Sequence, residues 1–432
     1  MRRAVKPLIL LVALLLVAAA CGQKSGVANT AVATDDGGTA GASGGATDGE
    51  AAPAEREAGP DDTAGISDDE IVIGVHAPVT GASPIPQTSF DIGKDIYWKF
   101  LADSDPESFG GREVRVVFRD DEFNPNRAVS VCREMVEQEN AFLLVGGGGA
   151  DQITACAKYA DGIGVPYISA GVNQEGLADL GTYFALSLSY AEQAPLLVAL
   201  IEELGLTKVG VVVADTPSFA DGHDAFVEAA EAADLEIVTD DTINKAANPT
   251  EQLSEAQNLK DAGAEVVFIL TSPVVYLGVA NNARNQDFEP VFVGPGITAG
   301  LNAVTEFGCP GVSNGQFYSP FPGLDVIDEL DPDFRQAYEQ FGDGAEADDI
   351  GLALWALNKT LALMMAGAGE ELGRAALMNS LEEGEAYETG VYPPVSISAD
   401  DHFGGTGAHL LKADCDQKVY ETAEQFVEAS GE

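Results

Sequence analysis

The stretch FLLVGGGGADQITACAKYADGIGVPYIS, residues 142–169, contains one complete strand–helix–strand unit. An apolar run at residues 142–145 predicts a buried strand, a helical pattern begins near Gln152, and residues 165–169 predict the next strand. Short apolar strands that alternate with helices are typical of parallel sheets covered on both faces. This unit therefore predicts an α/β fold.

The same alternation continues through the chain on both sides of this unit. Further strands are predicted at residues 71–77, 114–119, 209–214, 237–239, 266–271 and 291–294. Helices are predicted to start near Thr88, Asn126, Gln152, Glu192, Ala220, Thr250, Val274 and Thr298. This number of units exceeds one ordinary sheet, so we predict two doubly wound parallel-sheet lobes.

A closed eight-stranded barrel is the rival architecture, because the number of strand–helix units fits it. The end of the chain argues against a barrel. Residues 331–383 have the pattern of several helices with almost no strand between them. Two isolated strand-like stretches follow, at residues 391–398 and 408–420.

Residues 1–21 carry the three parts of an export signal: basic residues at positions 2, 3 and 6, an apolar run at 8–20, and Ala18-Ala19-Ala20 before Cys21. The apolar run is too short to cross roughly 30 Å of hydrocarbon. The ending resembles the lipobox of bacterial lipoproteins, which implies acylation of Cys21 and anchoring to the outer face of the cell membrane. Ordinary secretion with a free Cys21 is the alternative. No other stretch is expected to span a membrane.

Residues 22–66 consist mostly of Ala, Gly, Thr, Ser, Asp and Glu, and such a composition cannot form a core. A flexible coil of roughly 40 residues spans on the order of 35 Å. We therefore expect a disordered tether that holds the folded part clear of the lipid headgroups.

The chain is strongly acidic, with 22 Lys and Arg against 70 Asp and Glu and a net charge of −48. This charge repels a phosphate backbone, which excludes nucleic acid as a partner, and it argues against binding to anionic lipid. The acidity either keeps an exported protein soluble or adapts it to saline surroundings, where salt screens self-repulsion.

Four cysteines follow Cys21, at positions 132, 156, 309 and 415. An even number in an exported chain predicts two disulfides, and three connectivities are open. A zinc site is the rival interpretation, but the sequence has neither CxxC nor HxxxH spacing.

Small residues follow two of the predicted strands, at the edge of the sheet where open α/β folds bind ligands. One set is Ser169-Ala170-Gly171-Val172-Asn173. The other is Gly146 to Gly149, which leads through Ala150 and Asp151 into a helix. Backbone N–H groups at such a helix start suit a carboxylate or another anion, although a flexible turn would have the same composition. The GK[ST] ending of a phosphate loop is absent, which argues against nucleotide hydrolysis.

Several segments together resemble the branched-chain amino-acid (Leu/Ile/Val) binding proteins of ABC transporters. They are residues 71–81 (IVIGVHAPVTG), FRDD at 118–121 with Asn124-Pro125 and Arg127-Ala128, the glycine loop, PYISA at 166–170, residues 209–222, and VFVGP at 291–295. Their order and spacing cover nearly everything after Ser67.

The resemblance implies two α/β lobes joined by a three-strand hinge, the type I periplasmic binding protein fold. Lobe 1 is expected at residues 67–188 and 320–394, and lobe 2 at residues 189–319 and 395–432. Each disulfide should then lie within one lobe, which favours Cys132–Cys156 and Cys309–Cys415. The lobes are expected to close on a ligand about the hinge.

The resemblance also implies a set of ligand-binding residues: Gly148, Gly149, Ser169, Ala170, Gly171 and Asn173 from lobe 1, and Phe219, Ser272 and Gly296 from lobe 2. Relatives that bind α-amino acids commonly carry an acid where this chain has Gly296. A buried ammonium without a counter-charge costs several kcal/mol. Either Asp215, Asp221 or Asp325 substitutes for the missing acid, or the ligand is not a standard α-amino acid.

Nothing in the sequence predicts an enzyme, a metal or a cofactor. There is no GxSxG motif, and the four histidines (76, 223, 402 and 409) lack metal-ligand spacing. We expect His76 to be structural. Residues 120–122, Asp-Asp-Glu, are expected to form a solvated turn rather than a metal site.

These observations predict a lipid-anchored, extracytoplasmic and monomeric solute-binding protein that captures a small polar metabolite and delivers it to an ABC permease in the membrane. Candidate ligands are an amino acid, an amide, a urea-like compound or a short carboxylate. A sensory binding module without transport is a second hypothesis, and a hydrolase on the same scaffold is a third.

Overall fold

The computed structural model describes residues 55–170, 174, 176–296 and 302–429. The predicted signal peptide at 1–21, with Cys21, and most of the predicted tether lie outside these residues. The described helices are α1 (Gln87–Ser104), α2 (Pro125–Glu137), α3 (Ala150–Asp161), α4 (Ala194–Glu203), α5 (Ala220–Ala232), α6 (Pro249–Ala262), α7 (Pro273–Asn285), α8 (Asn302–Gly308), α9 (Ile327–Leu330), α10 (Asp333–Phe341), α11 (Asp349–Gly367) and α12 (Arg374–Leu381).

The described strands are β1 (Glu70–Ala77), β2 (Glu113–Asp120), β3 (Leu143–Gly146), β4 (Tyr167–Ser169), β5 (Tyr183–Ala185), β6 (Lys208–Ala214), β7 (Glu236–Ile243), β8 (Val266–Leu270), β9 (Val291–Pro295), β10 (Gly315–Ser319), β11 (Glu383–Tyr387), β12 (Val395–Ser398), β13 (Gly407–Asp414) and β14 (Val419–Glu428). They form two large sheets and one short antiparallel pair, β11 with β12. The predicted α/β class with two lobes is confirmed.

Lobe 1 is built on a five-stranded parallel sheet in the order β2-β1-β3-β4-β5. Successive side chains of β1 enter different cores, because side chains alternate across a strand. Ile71 and Ile73 pack with α1, α10 and α11, whereas Val72 packs on the opposite face with α2 and α3. Burial on both faces explains why the sequence of β1 is continuously apolar.

Lobe 2 is built on a seven-stranded sheet in the order β14-β13-β10-β9-β8-β6-β7. Strands β6 to β10 are parallel to one another. Strands β13 and β14 are antiparallel and lie at one edge of the sheet. Helices α4 and α5 cover one face, and α6 to α8 cover the other. The sequence indicated a strand-like stretch at 408–420 but not that it continues into an antiparallel pair.

The chain crosses between the lobes three times. Leu186 packs in lobe 1 and Leu188 in lobe 2, and the second crossing lies between Tyr318 and Phe321. The third crossing follows Phe403, which packs in lobe 1. A Cβ on Gly405 would lie 2.0 Å from the backbone nitrogen of Leu188, so the third crossing passes directly against the first.

The predicted return to lobe 2 at residue 395 is wrong by about ten residues. Val395 and Ile397 are buried in the lobe 1 core, and their strand, β12, pairs with β11 rather than with the lobe 2 sheet. The lobe 2 part of the C-terminal stretch begins near β13.

The prediction of a coil up to residue 66 is wrong for residues 55–66, which pack on lobe 1. Arg56 donates to the carbonyl of Gly181 at 2.8 Å and forms a 2.5 Å ion pair with Glu382. Asp62 accepts from the backbone N–H of Ala375 at 2.7 Å. Polar side chains with specific partners, rather than an apolar run, hold this segment, which is why composition did not reveal it.

Both predicted disulfides are confirmed. Cys132–Cys156 joins α2 to α3 on one face of the lobe 1 sheet, and Cys309–Cys415 joins the end of α8 to the end of β13 in lobe 2. Neither disulfide connects the two lobes.

Helix α11 is long and apolar enough to cross a membrane by length and composition, which contradicts the expectation that no stretch after the signal could span. Its buried side chains, including Leu352, Trp355 and Leu361, form the centre of the larger lobe 1 core. Packing against α1, α12 and β11 thus accounts for its apolar sequence.

Glu255 on α6 makes stability depend on pH. Its side chain is 6% exposed and its Oε1 has no hydrogen-bond partner among the described residues. Burial, with a further contribution from the charge of Asp241, raises the pKa of Glu255 to about 7. The folded state therefore holds this proton more tightly than the unfolded state, and stability falls as pH rises from about 4.5 through 7.

We expect Glu255→Gln to unfold at a higher temperature than the wild type at pH 8 and to flatten the decline between pH 5 and pH 8, because the amide carries no charge to desolvate. Thermal unfolding across this pH range measures the effect. Glu228→Gln, at an exposed position on α5, is the matched control. If the unfolding temperatures of wild type and Glu255→Gln depended on pH in the same way, Glu255 would not be the source of the pH dependence.

Candidate functional site

A cavity of about 210 Å³ lies between the two lobes, beyond the carboxyl ends of their parallel strands. Gly146 at the end of β3 and Ala214 at the end of β6 both line it. Its walls are mostly apolar, formed by Pro78, Pro84, Ile85, Pro86, Phe90, Phe123, Ile153, Phe219, Pro273, Val304, Phe321, Ile350, Ala353, Leu354 and Leu357. This is the position at which open α/β sheets bind ligands.

The structure brings five of the nine predicted ligand residues to this cavity: Gly148, Gly149, Ala170, Phe219 and Ser272. Ser169 and Gly296 are buried but do not line it. Gly171 and Asn173 lie outside the described residues.

The glycine loop adopts a backbone that specifically requires glycine at Gly149, where φ is +77°. This residue precedes α3, and no side chain caps the helix start. A Cβ on Gly148 would lie 3.2 Å from Ile85 Cδ1, so that glycine is set against an apolar wall. The first N–H groups of α3 therefore lie at the cavity without a capping side chain.

A second helix, α7, starts at the same cavity from lobe 2. Ser272 and Pro273, at its first turn, both line the cavity, and the Ser272 side chain does not cap the helix. Helix N-termini carry partial positive charge, so two of them from opposite lobes favour a negatively charged group between them.

Asp151, in the first turn of α3, reaches across to lobe 2. Its carboxylate accepts from Lys245 Nζ at 2.5 Å and from the hydroxyl of Thr216. Burial opposes ionisation, but hydrogen bonds from Lys245, Thr216 and Ser218 outweigh it and lower the pKa of Asp151. Because Asp151 and Lys245 both line the cavity, this ion pair fastens the lobes together at its edge.

Two further aspartates bridge the lobes. Asp221 on α5 accepts from the backbone N–H of Gln174 at 2.5 Å. Asp349, in the first turn of α11, accepts from the N–H of Asn302 at 2.7 Å. Burial, with the neighbouring Asp348, raises the pKa of Asp349 to about 6 although hydrogen bonds from N–H groups oppose the shift. The described conformation is thus a closed one.

Sequence reasoning missed several polar side chains that line the cavity, among them Gln152, Tyr190 and Tyr392. Each of these three is 2% exposed, and none has a side-chain hydrogen bond to another described residue. Burial raises the pKa of both tyrosines, so they stay neutral and can donate a proton in a hydrogen bond. The sequence signal for Gln152 was its place three residues after the glycine loop.

None of the three acids predicted to replace a missing counter-charge lines the cavity. Asp215 is exposed, Asp221 is bound to Gln174, and Asp325 accepts from the backbone N–H of Thr422. A Cβ on Gly296 itself would lie 2.5 Å from the carbonyl oxygen of Tyr318, so this position has no room for an acidic side chain.

His76 is fully buried behind the glycine loop, in agreement with a structural role. Its Nδ1 lies 2.8 Å from Asp121 and its Nε2 lies 2.6 Å from the Tyr167 hydroxyl. Asp121 is also fully buried. The prediction of a solvated turn at 120–122 is therefore wrong for this residue. His76, Cys132 and Cys156 lie close enough to hold a metal, but the two sulfurs are already joined to each other.

Asp151→Asn should weaken lobe closure. Partly exposed ion pairs contribute about 1 kcal/mol or less, so we expect the Kd of any ligand held in the cavity to rise by up to about fivefold. The radius of gyration without ligand, from small-angle X-ray scattering, should also increase. Asp328→Asn, which breaks an exposed ion pair with Arg335 within lobe 1, is the control. Equal scattering from both variants would count against a closing role for Asp151.

Comparison with known proteins places this geometry in a family. A profile of the periplasmic binding protein family matches residues 70–418. No curated protein sequence matches the chain.

Solved structures share the fold at low sequence identity. A fatty acid ABC transporter substrate-binding protein from Thermomonospora curvata is 16% identical, with a TM-score of 0.71 over 85% of this chain and 94% of that one. A possible leucine/isoleucine/valine-binding protein from Rhodopirellula baltica SH 1 is 14% identical, with a TM-score of 0.73 over 85% and 98%. An ABC transporter solute-binding protein from R. palustris in complex with 4-hydroxybenzoate is 16% identical, with a TM-score of 0.69 over 83% and 96%.

The match covers both lobes and all three crossings between them, so this chain belongs to the periplasmic binding protein family.

Proposed function

We propose that this protein is the extracytoplasmic solute-binding component of an ABC transporter, which closes on a small organic ligand and presents it to a permease. The observation that carries the proposal is the cavity enclosed between two lobes and fastened by Asp151, Thr216 and Lys245. A ligand that contacts both lobes favours the closed state by its differential affinity for that state.

The position of the disulfides supports hinge closure. Each one stiffens a single lobe, so neither restrains rotation of one lobe against the other. The described crossings at residues 186–188, 318–321 and 403–407 are then the places where the backbone bends.

We further propose that lipidated Cys21 anchors a monomer to the outer face of the cell membrane. The apolar run and the small residues before Cys21 support this proposal. Two or three acyl chains, each contributing about 0.8 kcal/mol per buried CH₂, suffice for stable attachment. Mass spectrometry of the protein from detergent-solubilised membranes, before and after Cys21→Ser, tests the anchor. Soluble wild-type protein of unmodified mass would contradict it.

The proposal assigns no catalysis to the cavity. Its charged lining residues among those described, Asp151 and Lys245, are bound to each other, which leaves neither available as a general acid or base.

The experiment for this function is a thermal-shift screen with amino acids, amides, ureas and carboxylates, followed by scattering measurements on any hit. A ligand at 100 times its Kd adds about 2.7 kcal/mol of stability. We expect a stabilising ligand to reduce the radius of gyration and to be recovered unchanged. Turnover of the ligand would instead favour a hydrolase, and the absence of any stabilising compound would oppose the proposal.

A further inference from the structure

Part of the cavity is lined by α1 and α11 of lobe 1, and we call this part the arm. Its walls are side chains of those two helices: Phe90 from α1, and Ile350, Ala353, Leu354 and Leu357 from α11. Phe90, Ile350, Leu354 and Leu357 belong to the lobe 1 core, and Ala353 packs against it.

The two helices are fixed against each other where glycines meet. A Cβ on Gly93 of α1 would lie 3.0 Å from the Cα of Gly351 and 2.8 Å from Leu354 Cδ1. These contacts lie within one lobe, so closure of the lobes is not what brings α1 and α11 together.

Outside the arm, the mostly apolar cavity contains a few neutral hydrogen-bond donors. Gln152 has a free side-chain amide, and a Cβ on Gly149 would lie 2.3 Å from its Oε1, which places this amide against the glycine loop. The uncapped starts of α3 and α7 add partial positive charge. No acid is available for a ligand ammonium among the described lining residues, because Asp151 is held by Lys245 and Thr216.

We infer that the ligand is a monocarboxylic acid with an apolar body, whose hydrocarbon part occupies the arm between α1 and α11 and whose carboxylate lies at Gln152. This inference rests on the proposed solute-binding function and specifies its ligand class. An α-amino acid would bring an ammonium group to a cavity without an acid to receive it, and desolvating that charge costs several kcal/mol.

The test uses calorimetry with butanoate, hexanoate, octanoate and benzoate, each paired with its neutral amide, and with leucine. Each CH₂ buried in the arm should lower Kd about fourfold until the arm is full. Each acid should bind at least tenfold more tightly than its amide, since the amide loses the favourable interaction with the helix starts.

Three variants separate the two parts of the ligand. Ala353→Phe fills the arm and should abolish the gain from chain length, whereas Ala366→Phe, at an exposed position on the same helix, should not. Leu357→Ala enlarges the arm and should shift the preferred acid to one with a longer chain. This second variant tests the arm if Ala353→Phe does not fold. Gln152→Leu should narrow the difference between acid and amide without lowering stability, because the wild-type amide has no partner to lose.

The outcomes distinguish this inference from the function on which it rests. Leucine or neutral amides binding as tightly as the acids, or an unchanged chain-length series in Ala353→Phe and Leu357→Ala, would overturn the ligand class and leave solute binding intact. No binding by any compound, in this series or in the broader screen, would overturn both.

Discussion

Replacing Cys309 and Cys415 together by alanine is expected to lower the free energy of unfolding by about 4.7 kcal/mol. The disulfide closes a loop with a sequence separation of 106 residues, and an unfolded chain without it gains the conformational freedom of that loop. Both cysteines lie at the edge of a lobe 2 core cluster, so the variant loses little packing. Denaturant unfolding at equilibrium, with and without reductant, measures the loss.

Reductant should destabilise the wild type by about 4.7 kcal/mol more than the alanine variant, because the variant has only the Cys132–Cys156 disulfide left to reduce. The Cys132–Cys156 disulfide closes a loop with a separation of only 24 residues, and the same model gives it about 3.5 kcal/mol. If the free energy of unfolding fell by less than 1 kcal/mol in the Cys309 and Cys415 variant, the disulfide would not stabilise the protein by restricting the unfolded chain.

Arg374→Ala is expected to cost about 3 to 5 kcal/mol, the sum of two lost charge-assisted hydrogen bonds and the volume of a buried side chain. Arg374 is 6% exposed, and its guanidinium donates to the carbonyls of Ala141 and Phe142 at 2.8 and 2.9 Å. Removing it leaves both acceptors buried beneath α12 without a partner.

Arg112 provides a matched control for Arg374. It also donates to two backbone carbonyls, those of Ser67 and Phe109, but its contacts lie nearer the surface, where water replaces them. Arg112→Ala should cost under 1 kcal/mol. Equal losses for the two variants, measured by denaturant unfolding, would show that burial does not set the contribution of Arg374.

Much of the fold follows from apolar runs alone. Strands such as β1, β6 and β8 are continuously buried on both faces, and their sequences are correspondingly apolar. Strands β5 and β10, with the sequences YFA and GQFYS, were not predicted, because they are short and their burial arises from neighbouring strands rather than from their own pattern.

Only those site residues that come directly after a predicted strand could be predicted from the sequence. Gly148, Gly149 and Ser272 sit at helix starts that the strand–helix pattern reveals. Asp151 and Lys245 were not paired in advance, because 94 residues separate them and only the closed arrangement of lobes brings them together.

The argument that the ligand is not a standard α-amino acid rested on Gly296, and the structure changes that argument. Since Tyr318 occupies the space beside Gly296, the lack of an acid there follows from packing and says little by itself about the ligand. The apolar lining of the cavity and its uncharged donors are the more direct indicators.

The segment at residues 55–66 determines how a mechanical load would enter the molecule. It is fastened to lobe 1 by Arg56 and Asp62, and no contact with lobe 2 is described for these two side chains. With the proposed anchor at Cys21, a pull along the chain would reach the described structure at lobe 1, and the three crossings between the lobes would pass it on to lobe 2.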